Sequence, residues 1–377
     1  MVTPTSAFDP SVYKELEGKE LPVAIGIGST SPVFEPITTM EIRRNAYSVA
    51  DYNPLFSDPE YAKNTRYGGV IAAPYYPYMI DDTVSACIPL RIPGTTIVYT
   101  GTDWSWFAPI RPGDVITTRR KFLRADAHHS SYSGNIAFLF GETTYTNQRD
   151  EVVAVGVSNN AQYMLEEARQ RNKYDDESGG ADFPVFPLEL KEKIQRDKRA
   201  QEVRGATPRY FEDVKVGDSI CPVVQGPLLN PEVGFFILNK RFGPEDYVRA
   251  YPRDPANIPL EFIGEQADPW TSGRYGPGVA YANRAMPRGF DYGYQRMSWL
   301  IRSASSWIGD GADLKTLSGR LRRPYLEGDV VWYGGEVVDK RVEGGEHLVQ
   351  CELRGKTQDD LLVIDGGFVA ALPRRHP

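Results

Sequence analysis

A short polar stretch near the start of the chain carries residue types that could do chemistry. It is Asp51-Tyr52-Asn53-Pro54-Leu55-Phe56, with a carboxylate two residues before a carboxamide. Pro54 disfavours the helical conformation for the residue before it, so a preceding helix must end near Asp51 or Asn53. A carboxylate at the C-terminal end of a helix opposes the helix dipole. This unfavourable placement of Asp51 indicates a functional use of its side chain.

A helix before this stretch would position the carboxylate. Thr38 or Thr39 can cap its N-terminus. Ile42, Ala46 and Val49 recur at the spacing of one helical face. The pattern predicts a helix with one buried face that leads directly into the polar stretch.

The stretch resembles the signature of the MaoC-like acyl dehydratases, also called R-specific enoyl-CoA hydratases. Their signature is Asp-x-Asn-Pro-(Leu/Ile)-His, and this chain has Phe56 at the histidine position. The continuations D-P-E-Y-A, Y-G-G-V-I-A and W-F-A-P-I-R-P-G-D-V also match the family. In the second half, F-D-Y-G-Y-Q-R-M-S-W-L, W-I-G-D-G and R-L-R-R-P-Y-L-E-G-D are similar to C-terminal halves of two-domain members. The resemblance therefore covers both halves.

The resemblance implies a fold and a reaction. The fold is α+β, a double hotdog in which two long central helices are each wrapped by a curved antiparallel β-sheet. In the family, an aspartate and a histidine hold a water molecule and deliver it across the double bond of an enoyl thioester. A backbone N–H near a glycine stabilises the thioester oxyanion.

Carried over residue by residue, the resemblance implies three catalytic roles. Asp51 is the surviving acid or base, Asn53 is the turn residue that orients it, and Gly293 is the glycine at the oxyanion position. Pro74 occupies the equivalent place in the first half and has no N–H to donate. Phe56 cannot move protons, and general acid–base help is typically worth about 10²–10⁴-fold in rate.

Another acid could replace the missing histidine. The chain has only four histidines, which limits the choice. His128 and His129 lie in A-D-A-H-H-S-S-Y, a polar turn between predicted strands, and either supply the base or belong to a solvated hairpin. The further candidates are Tyr76, Tyr78, Glu261, Glu265, Asp268, Asp291 and Tyr292.

Aromatic and basic residues indicate where a substrate would bind. Three tyrosines within Tyr75–Tyr78 favour either a pocket for an aromatic or polycyclic acyl group or ordinary core packing. Three arginines within Arg320–Arg323 could bind CoA phosphates through paired hydrogen bonds or protect a strand edge. The substrate contacts we predict are Phe56, Tyr76, Tyr78, Tyr292 and Arg322.

Each half repeats the same order of elements. A helical or irregular segment comes first, and a block of strands rich in Val, Ile, Thr and aromatic residues follows. The phrases F-A-P-I-R-P-G-D-V and R-R-P-Y-L-E-G-D-V correspond, and F-E-D-V-K-V-G-D-S-I opens the second half with a third Gly-Asp. Gly-Asp favours a tight turn before a strand, because glycine tolerates positive φ and aspartate hydrogen-bonds to nearby backbone. The pattern predicts an internal duplication.

A charged segment separates the two halves. Gly179-Gly180, Pro184 and Pro187 interrupt it, which predicts a linker with one or two solvated helices. We expect an N-terminal hotdog over residues 1–164, the linker over 165–205 and a C-terminal hotdog over 206–377. The best glycine-rich segment, A-I-G-I-G-S-T-S, lacks the third glycine of a dinucleotide-binding loop, which excludes a Rossmann interpretation there.

Composition narrows the class of protein. The net charge of -7 argues against a protein built mainly to bind nucleic acid or anionic lipid. No run approaches the roughly 18 apolar residues of a membrane helix. The opening residues M-V-T-P-T-S-A-F-D-P show neither the basic nor the apolar region of a secretory signal, so we expect none. We therefore expect a cytoplasmic protein that makes no membrane contact. Cys87, Cys221 and Cys351 fit neither a disulfide framework nor a zinc pattern and are predicted to be reduced thiols.

The leading hypothesis is a hydro-lyase that reversibly hydrates an enoyl thioester. The ligand would be an acyl-CoA or an acyl-carrier thioester, with no metal and no cofactor other than the CoA of the substrate. One alternative is a non-catalytic acyl-binding subunit whose partner hotdog chain carries the intact Asp/His pair. A second alternative is a hotdog thioesterase. We expect a homodimer or a hetero-oligomer with another hotdog chain.

Overall fold

One ten-stranded antiparallel sheet runs through the described part of the chain. A computed structural model of the protein describes residues 9–21, 35–81, 83–90, 92, 94–171, 173, 184–241 and 288–375. The strands β1 to β10 are Glu20–Leu21, Thr95–Trp106, Thr117–Ser130, Gly134–Thr146, Val152–Met164, Ser219–Gln225, Asp313–Leu321, Val331–Glu343, Glu346–Thr357 and Leu362–Ala371. Their order across the sheet is β1-β3-β4-β5-β2-β7-β10-β9-β8-β6.

The two halves of the chain meet at the pair β2–β7. All strands on one side of this seam come from the first half, and all strands on the other side come from the second. The antiparallel pairing at the seam runs from Gly101 opposite Arg320 to Ser105 opposite Thr316. Because β2 and β7 occupy corresponding places in the two halves, an approximate two-fold axis passes through the seam. The α+β class and the strand blocks predicted from the sequence are confirmed.

One long helix dominates the second half. The helices α1 to α7 of the described residues are Thr39–Ser48, Pro59–Lys63, Pro77–Ile80, Leu165–Arg171, Leu188–Arg199, Asn230–Leu238 and Gly293–Ile308. α7 has 16 residues, nearly all of them buried. It lies so close to β7 that a methyl group on Gly319 would overlap Met297 and touch Leu300. Among the described helices, none is long and apolar enough to cross a membrane.

The central helix of the first half is shorter than the resemblance implies. α3 ends at Ile80, and a 3₁₀ turn follows at Thr83–Cys87. Asp81 is extended, with φ -148° and ψ 132°. Its buried carboxylate accepts hydrogen bonds from Arg120 Nε at 2.7 Å and from the Thr118 hydroxyl at 2.9 Å. These bonds to β3 hold Asp81 outside helical geometry, so the helix ends there.

The three Gly-Asp turns share one conformation. φ is 91° at Gly113, 90° at Gly217 and 92° at Gly328, a region that glycine enters without steric cost. In each turn the aspartate carboxylate accepts a hydrogen bond from the backbone N–H three residues earlier. The predicted turns are therefore confirmed, and their identical construction supports an internal duplication.

Two helices lie in the segment predicted as a linker. α4 continues directly from β5, and α5 packs through Ile194 against Val224 and Val330 of the second half. Residues 172 and 174–183 lie outside the described part. The domain boundaries at 164 and 205 stay a prediction.

The cysteines are free thiols, as predicted. Burial raises the pKa of Cys87 and that of Cys351 to about 12. Both thiols therefore stay protonated at neutral pH, which fits a packing role.

Candidate functional site

The polar stretch begins where α1 ends, as the sequence predicted. Thr38 caps α1 and forms a reciprocal capping box with Glu41. At the other end, Ala50 has a φ of 53°. The Asp51 N–H then donates back to the Ala46 carbonyl at 2.9 Å. This sharp reversal turns Asp51 toward the interior of the protein.

Two side-chain hydrogen bonds shape the turn after α1. Asp51 Oδ1 accepts from the Asn53 N–H at 3.1 Å. Asn53 Oδ1 accepts from the Leu55 N–H at 3.0 Å, and a 3₁₀ turn covers Pro54–Phe56. Asp51 thus binds the backbone N–H of Asn53, so the side-chain amide nitrogen of Asn53, Nδ2, can bond elsewhere.

That amide nitrogen connects the stretch to the second half. Asn53 Nδ2 donates to Asp310 Oδ1 at 2.8 Å, and the Tyr61 hydroxyl donates to Asp310 Oδ2 at 2.7 Å. Arg66 Nε donates to the Asp310 carbonyl at 3.0 Å. Asp310 follows α7, so these bonds join the polar stretch to the C-terminal end of that helix. The sequence analysis missed Asp310, although it lies in W-I-G-D-G, which was noted only as a family match.

Asp51 is enclosed. The residue is 1% exposed, and the Tyr75 hydroxyl donates to Oδ2 at 2.9 Å. Burial raises the pKa of the Asp51 carboxyl, and the guanidinium of Arg302 opposes this only in part. Each carboxylate oxygen already accepts a hydrogen bond from the protein, and the side chain has almost no contact with solvent.

Arg302 is a second residue that the sequence analysis missed. It lies on α7 and is 3% exposed. Its guanidinium donates to the Val49 carbonyl at 3.2 Å and to Gln201 Oε1 at 3.1 Å. Arg302 therefore supplies the positive charge near Asp51 and also fixes the end of α1. Nothing in its sequence context distinguishes it from an exposed helical arginine.

A cavity of about 210 Å³, here called cavity A, lies beside the polar stretch. Asn53, Phe56, Pro74, Trp106 and Asp310 are among its walls. Phe56 is 3% exposed and puts an apolar ring where the family has histidine. Trp106 Nε1 donates to the Pro74 carbonyl at 2.9 Å. The residues Phe56 and Pro74 therefore deprive cavity A of the base and the N–H donor that the resemblance implies at those positions.

A larger cavity of about 600 Å³, here called cavity B, opens at the start of α7. Gly293, Tyr99, Tyr294 and Arg322 are among its walls. The N–H of the first helical residue has no partner within its own helix, and Tyr292 at the N-cap makes no side-chain capping bond. A Cβ on Gly293 would lie 2.5 Å from Tyr99 Cδ1. Glycine therefore allows the helix start and the strand to approach each other closely at this cavity.

The structure separates the residues predicted to act together. Asn53 and Phe56 line cavity A, and Gly293 and Arg322 line cavity B, but Asp51 is a wall of neither. The two cavities lie at opposite ends of the seam. A single substrate held at the Gly293 N–H would not reach Asp51 in this arrangement.

The tyrosines predicted as substrate contacts lie in the core. The Tyr78 hydroxyl is 3.0 Å from the Tyr99 hydroxyl and accepts from Trp104 Nε1 at 2.8 Å. Burial raises the pKa of Tyr78 to about 12 and also raises the pKa of the fully buried Tyr76. The Tyr292 hydroxyl accepts a hydrogen bond from the buried Lys240 at 2.8 Å. None of Tyr76, Tyr78 and Tyr292 is a wall of cavity A or cavity B.

The candidates for a replacement acid or base lie in different parts of the structure. Asp291 is a wall of cavity B, but its Oδ2 accepts from Arg296 Nε at 2.7 Å in a buried ion pair. His128 also lines cavity B. However, β3 lies three strand positions from β2, or about 14 Å, which is too far for direct proton transfer at Gly293. His129 is exposed. The candidates Glu261, Glu265 and Asp268 lie outside the described residues.

The arginines at cavity B have acidic neighbours. Arg320 donates to Asp103 Oδ2 and Arg322 donates to Asp365 Oδ1, each at 2.7 Å. The Arg322 side chain is 52% exposed, so its remaining N–H donors face solvent at the cavity rim. Both interpretations from the sequence, a phosphate contact and a protected strand edge, are compatible with this placement.

The first half of the chain is similar in sequence to known proteins. Residues 24–155 match the sequence model of the FAS1-like dehydratase domain region. A UPF0336 protein of Thermobifida fusca is 31% identical over 99 residues, which are 25% of this chain and 65% of that protein. A UPF0336 protein of Streptomyces avermitilis is 29% identical over 97 residues, 24% of this chain and 65% of that protein. The chain thus spans a little under two thirds of the length of these relatives.

Nearly the whole chain superposes on solved structures. A MaoC-like dehydratase superposes with a TM-score of 0.60 at 15% identity, covering 90% of this chain and 95% of the other. A putative MaoC domain dehydratase from Chloroflexus aurantiacus gives 0.58 at 14% identity, covering 95% and 96%. A conserved hypothetical protein of Mycobacterium tuberculosis with a double hotdog fold gives 0.55 at 12%, covering 96% and 97%. The chain therefore has the double hotdog fold found in MaoC-like dehydratases, and its residues 24–155 are similar to the FAS1-like dehydratase region.

Proposed function

We propose that the protein binds an acyl thioester in cavity B and catalyses the reversible addition of water to an enoyl thioester. The observation that carries this proposal is the position of Gly293. The residue begins a 16-residue helix and forms part of the wall of a cavity of about 600 Å³. A thioester carbonyl that enters the cavity would accept a hydrogen bond from the Gly293 N–H.

Such a contact would help the chemical step. When water adds to the β-carbon of an enoyl thioester, negative charge develops on the thioester oxygen. An N–H at a helix N-terminus is suited to this charge, because the helix dipole adds to the hydrogen bond. Removing one donor of this kind from an enzyme typically costs about 10²–10³-fold in kcat.

The other walls of cavity B fit the acyl part of the ligand. Val98, Ile136, Phe138 and Ala161 line it on the strands of the first half. These apolar walls lie on β2, β5 and β4, so apolar surface continues over two strand spacings, or about 10 Å, from the start of α7. Arg322 at the rim could contact the polar carrier of the acyl group.

The enclosure of Asp51 favours a second candidate function, an acyl-binding chain without catalysis of its own. Asp51 accepts hydrogen bonds on both oxygens and is a wall of neither cavity. Under this candidate, a partner hotdog chain supplies the Asp/His pair and this chain supplies the acyl site.

A matched pair of variants at Gly293 tests the proposed site. Gly293→Pro and Gly293→Ala both add a Cβ beside Tyr99, but only proline removes the N–H. Proline is tolerated at the first residue of a helix. We would offer trans-2-enoyl-CoAs with short, long, aromatic and polycyclic acyl groups and measure binding, hydration and release of free thiol, with thermal unfolding as the folding control.

The two variants separate the functions. Hydration by the wild type, retained better by Gly293→Ala than by Gly293→Pro by about 10²-fold, would support the proposal. Binding without hydration would support the acyl-binding chain, and release of free thiol would indicate a thioesterase. If no enoyl-CoA binds, or if both variants hydrate as fast as the wild type, Gly293 is not the thioester site.

A further inference from the structure

The two cavities occupy corresponding places in the two halves. Trp106–Pro109, at cavity A, precede Gly113 by the same number of residues as Leu321–Pro324, at cavity B, precede Gly328. In the same way, Ala312–Lys315, at cavity A, lie as far before Gly328 as Ile97–Thr100, at cavity B, lie before Gly113. The approximate two-fold axis at the seam therefore relates cavity A to cavity B.

The cavities differ in the groups that could do chemistry. Where cavity B has the N–H of Gly293, cavity A has Pro74, which has none. Cavity A also contains the Phe56 ring at the position of the family histidine. Its buried polar side chains, Asn53 and Asp310, are hydrogen-bonded to each other at 2.8 Å. Cavity A therefore has neither a donor nor a base at the two positions where the resemblance implies them.

The walls of cavity A favour an uncharged apolar ligand. Besides Phe56 they include Leu55, Ile71, Trp106, Ile308 and Leu314. An anion would meet Asp310 and Asp313, since Lys315, which is also a wall, is paired with Glu346. A cation would lose water against the apolar walls. The volume of about 210 Å³ exceeds that of an engineered apolar cavity of about 150 Å³ that binds benzene. One aromatic ring or a short branched acyl group would fit.

A ligand in cavity B would not extend into cavity A. Trp106 and Tyr99, one wall of each cavity, are seven residues apart on β2, or about 23 Å. Between them, Met297 and Leu300 of α7 pack directly on Gly319 of β7. The interior is closed at this point, so the two cavities hold separate ligands.

We propose that cavity A is a second binding site, which takes uncharged apolar groups without turning them over and fills independently of cavity B. This inference goes beyond the proposed function, since it concerns a site where no reaction occurs. It predicts two ligand sites in one chain, of which only cavity B depends on a thioester.

The test uses an apolar probe that has no thioester. We would measure binding of 4-fluorotoluene by fluorine NMR to the full chain and to Ala108→Phe, which fills cavity A from a half-buried position. Ala161→Phe, a change in a wall of cavity B, is the matched control. We expect Ala108→Phe to weaken binding by about tenfold or more and Ala161→Phe to leave binding in cavity A unchanged. Because the probe is not a thioester, failure of enoyl-CoA binding would not affect this result.

A measurement on the wild type guards against misfolded variants. Intermolecular NOEs between the probe and the methyl groups of Ile308 and Leu314 would place the probe in cavity A without any substitution. Absence of these NOEs at saturation overturns the inference. So does binding that Ala161→Phe abolishes and folded Ala108→Phe leaves unchanged.

Discussion

Replacing Asp51 tests whether this carboxylate holds the structure together or takes part in a reaction. In Asp51→Ala, the Tyr75 hydroxyl and the Asn53 N–H lose their acceptors, and both groups are buried. A buried donor left without a partner costs about 1–3 kcal/mol. The two donors together predict a loss of about 2–6 kcal/mol in the free energy of unfolding. The nearby charge of Arg302 would lose its counter-charge and add to the effect.

Asp51→Asn is the matched control, because it has nearly the same shape. Its amide oxygen can accept from the Asn53 N–H, and its amide nitrogen can donate to the Tyr75 hydroxyl, which also serves as an acceptor. Only the Tyr75 O–H then lacks its acceptor, so we expect this variant to lose about 1–3 kcal/mol at neutral pH, roughly half of the loss in Asp51→Ala. Urea unfolding of the three proteins gives both differences, and an unchanged m-value validates the comparison.

Comparing Asp51→Asn with the wild type at several pH values should also show how ionisation of the buried Asp51 carboxyl affects stability. Because burial raises the pKa of Asp51, the folded protein binds this proton more tightly than the unfolded chain does. The resulting stabilisation is fully present below the unfolded pKa of about 3.9 and is lost as the pH rises through the higher folded value. Asparagine has no such dependence. The stability of Asp51→Asn relative to wild type should therefore improve as the pH rises from about 4 to 7.

Two outcomes would refute the structural assignment of Asp51. One is an Asp51→Ala protein whose free energy of unfolding lies within about 0.5 kcal/mol of wild type, the range of ordinary surface substitutions. The other is Asp51→Asn with unchanged stability but no hydration of an enoyl-CoA that the wild type hydrates. The second result would mean that Asp51 reaches the substrate through a rearrangement of the turn after α1.

Two further substitutions have clear expected outcomes. Phe56→His should not speed hydration, because Asp51 accepts hydrogen bonds on both oxygens and is not a wall of cavity A; a gain of about 10²-fold in an enoyl-CoA assay would contradict this. Arg120→Met should cost about 3–5 kcal/mol in urea unfolding, because it leaves the fully buried Asp81 carboxylate without its cation. Arg119→Met, at a neighbouring side chain that is 75% exposed, is the control and should change stability by no more than about 0.5 kcal/mol.

Local patterns predicted most of the fold. The alternating Val, Ile, Thr and aromatic segments became strands, and the three Gly-Asp phrases became turns with matching φ. The length of α3 could not be predicted in this way. Asp81 ends that helix because it pairs with Arg120, a residue almost forty positions away. Such a partner is known only after β3 has been placed beside the helix.

The candidate site was predicted less well, for the same reason. The sequence correctly located the end of α1 and the turn around Asp51 as local structure. It did not show that Tyr75 and Arg302 enclose Asp51, or that Asp310 binds Asn53. The last two contacts join opposite halves of the chain, and a motif of six residues contains no information about them.

The difference in length between α3 and α7 explains why chemistry should be sought at one end of the seam only. Cavity B lies at the N-terminus of a 16-residue helix, whose aligned peptide dipoles favour negative charge there. Cavity A lies beside α3, which has 4 residues, so its peptide dipoles can contribute little. Pro74 removes the remaining donor at that end. A reaction that builds charge on a thioester oxygen is therefore supported at Gly293, and its acid or base should be sought among the side chains around that residue, not at Asp51.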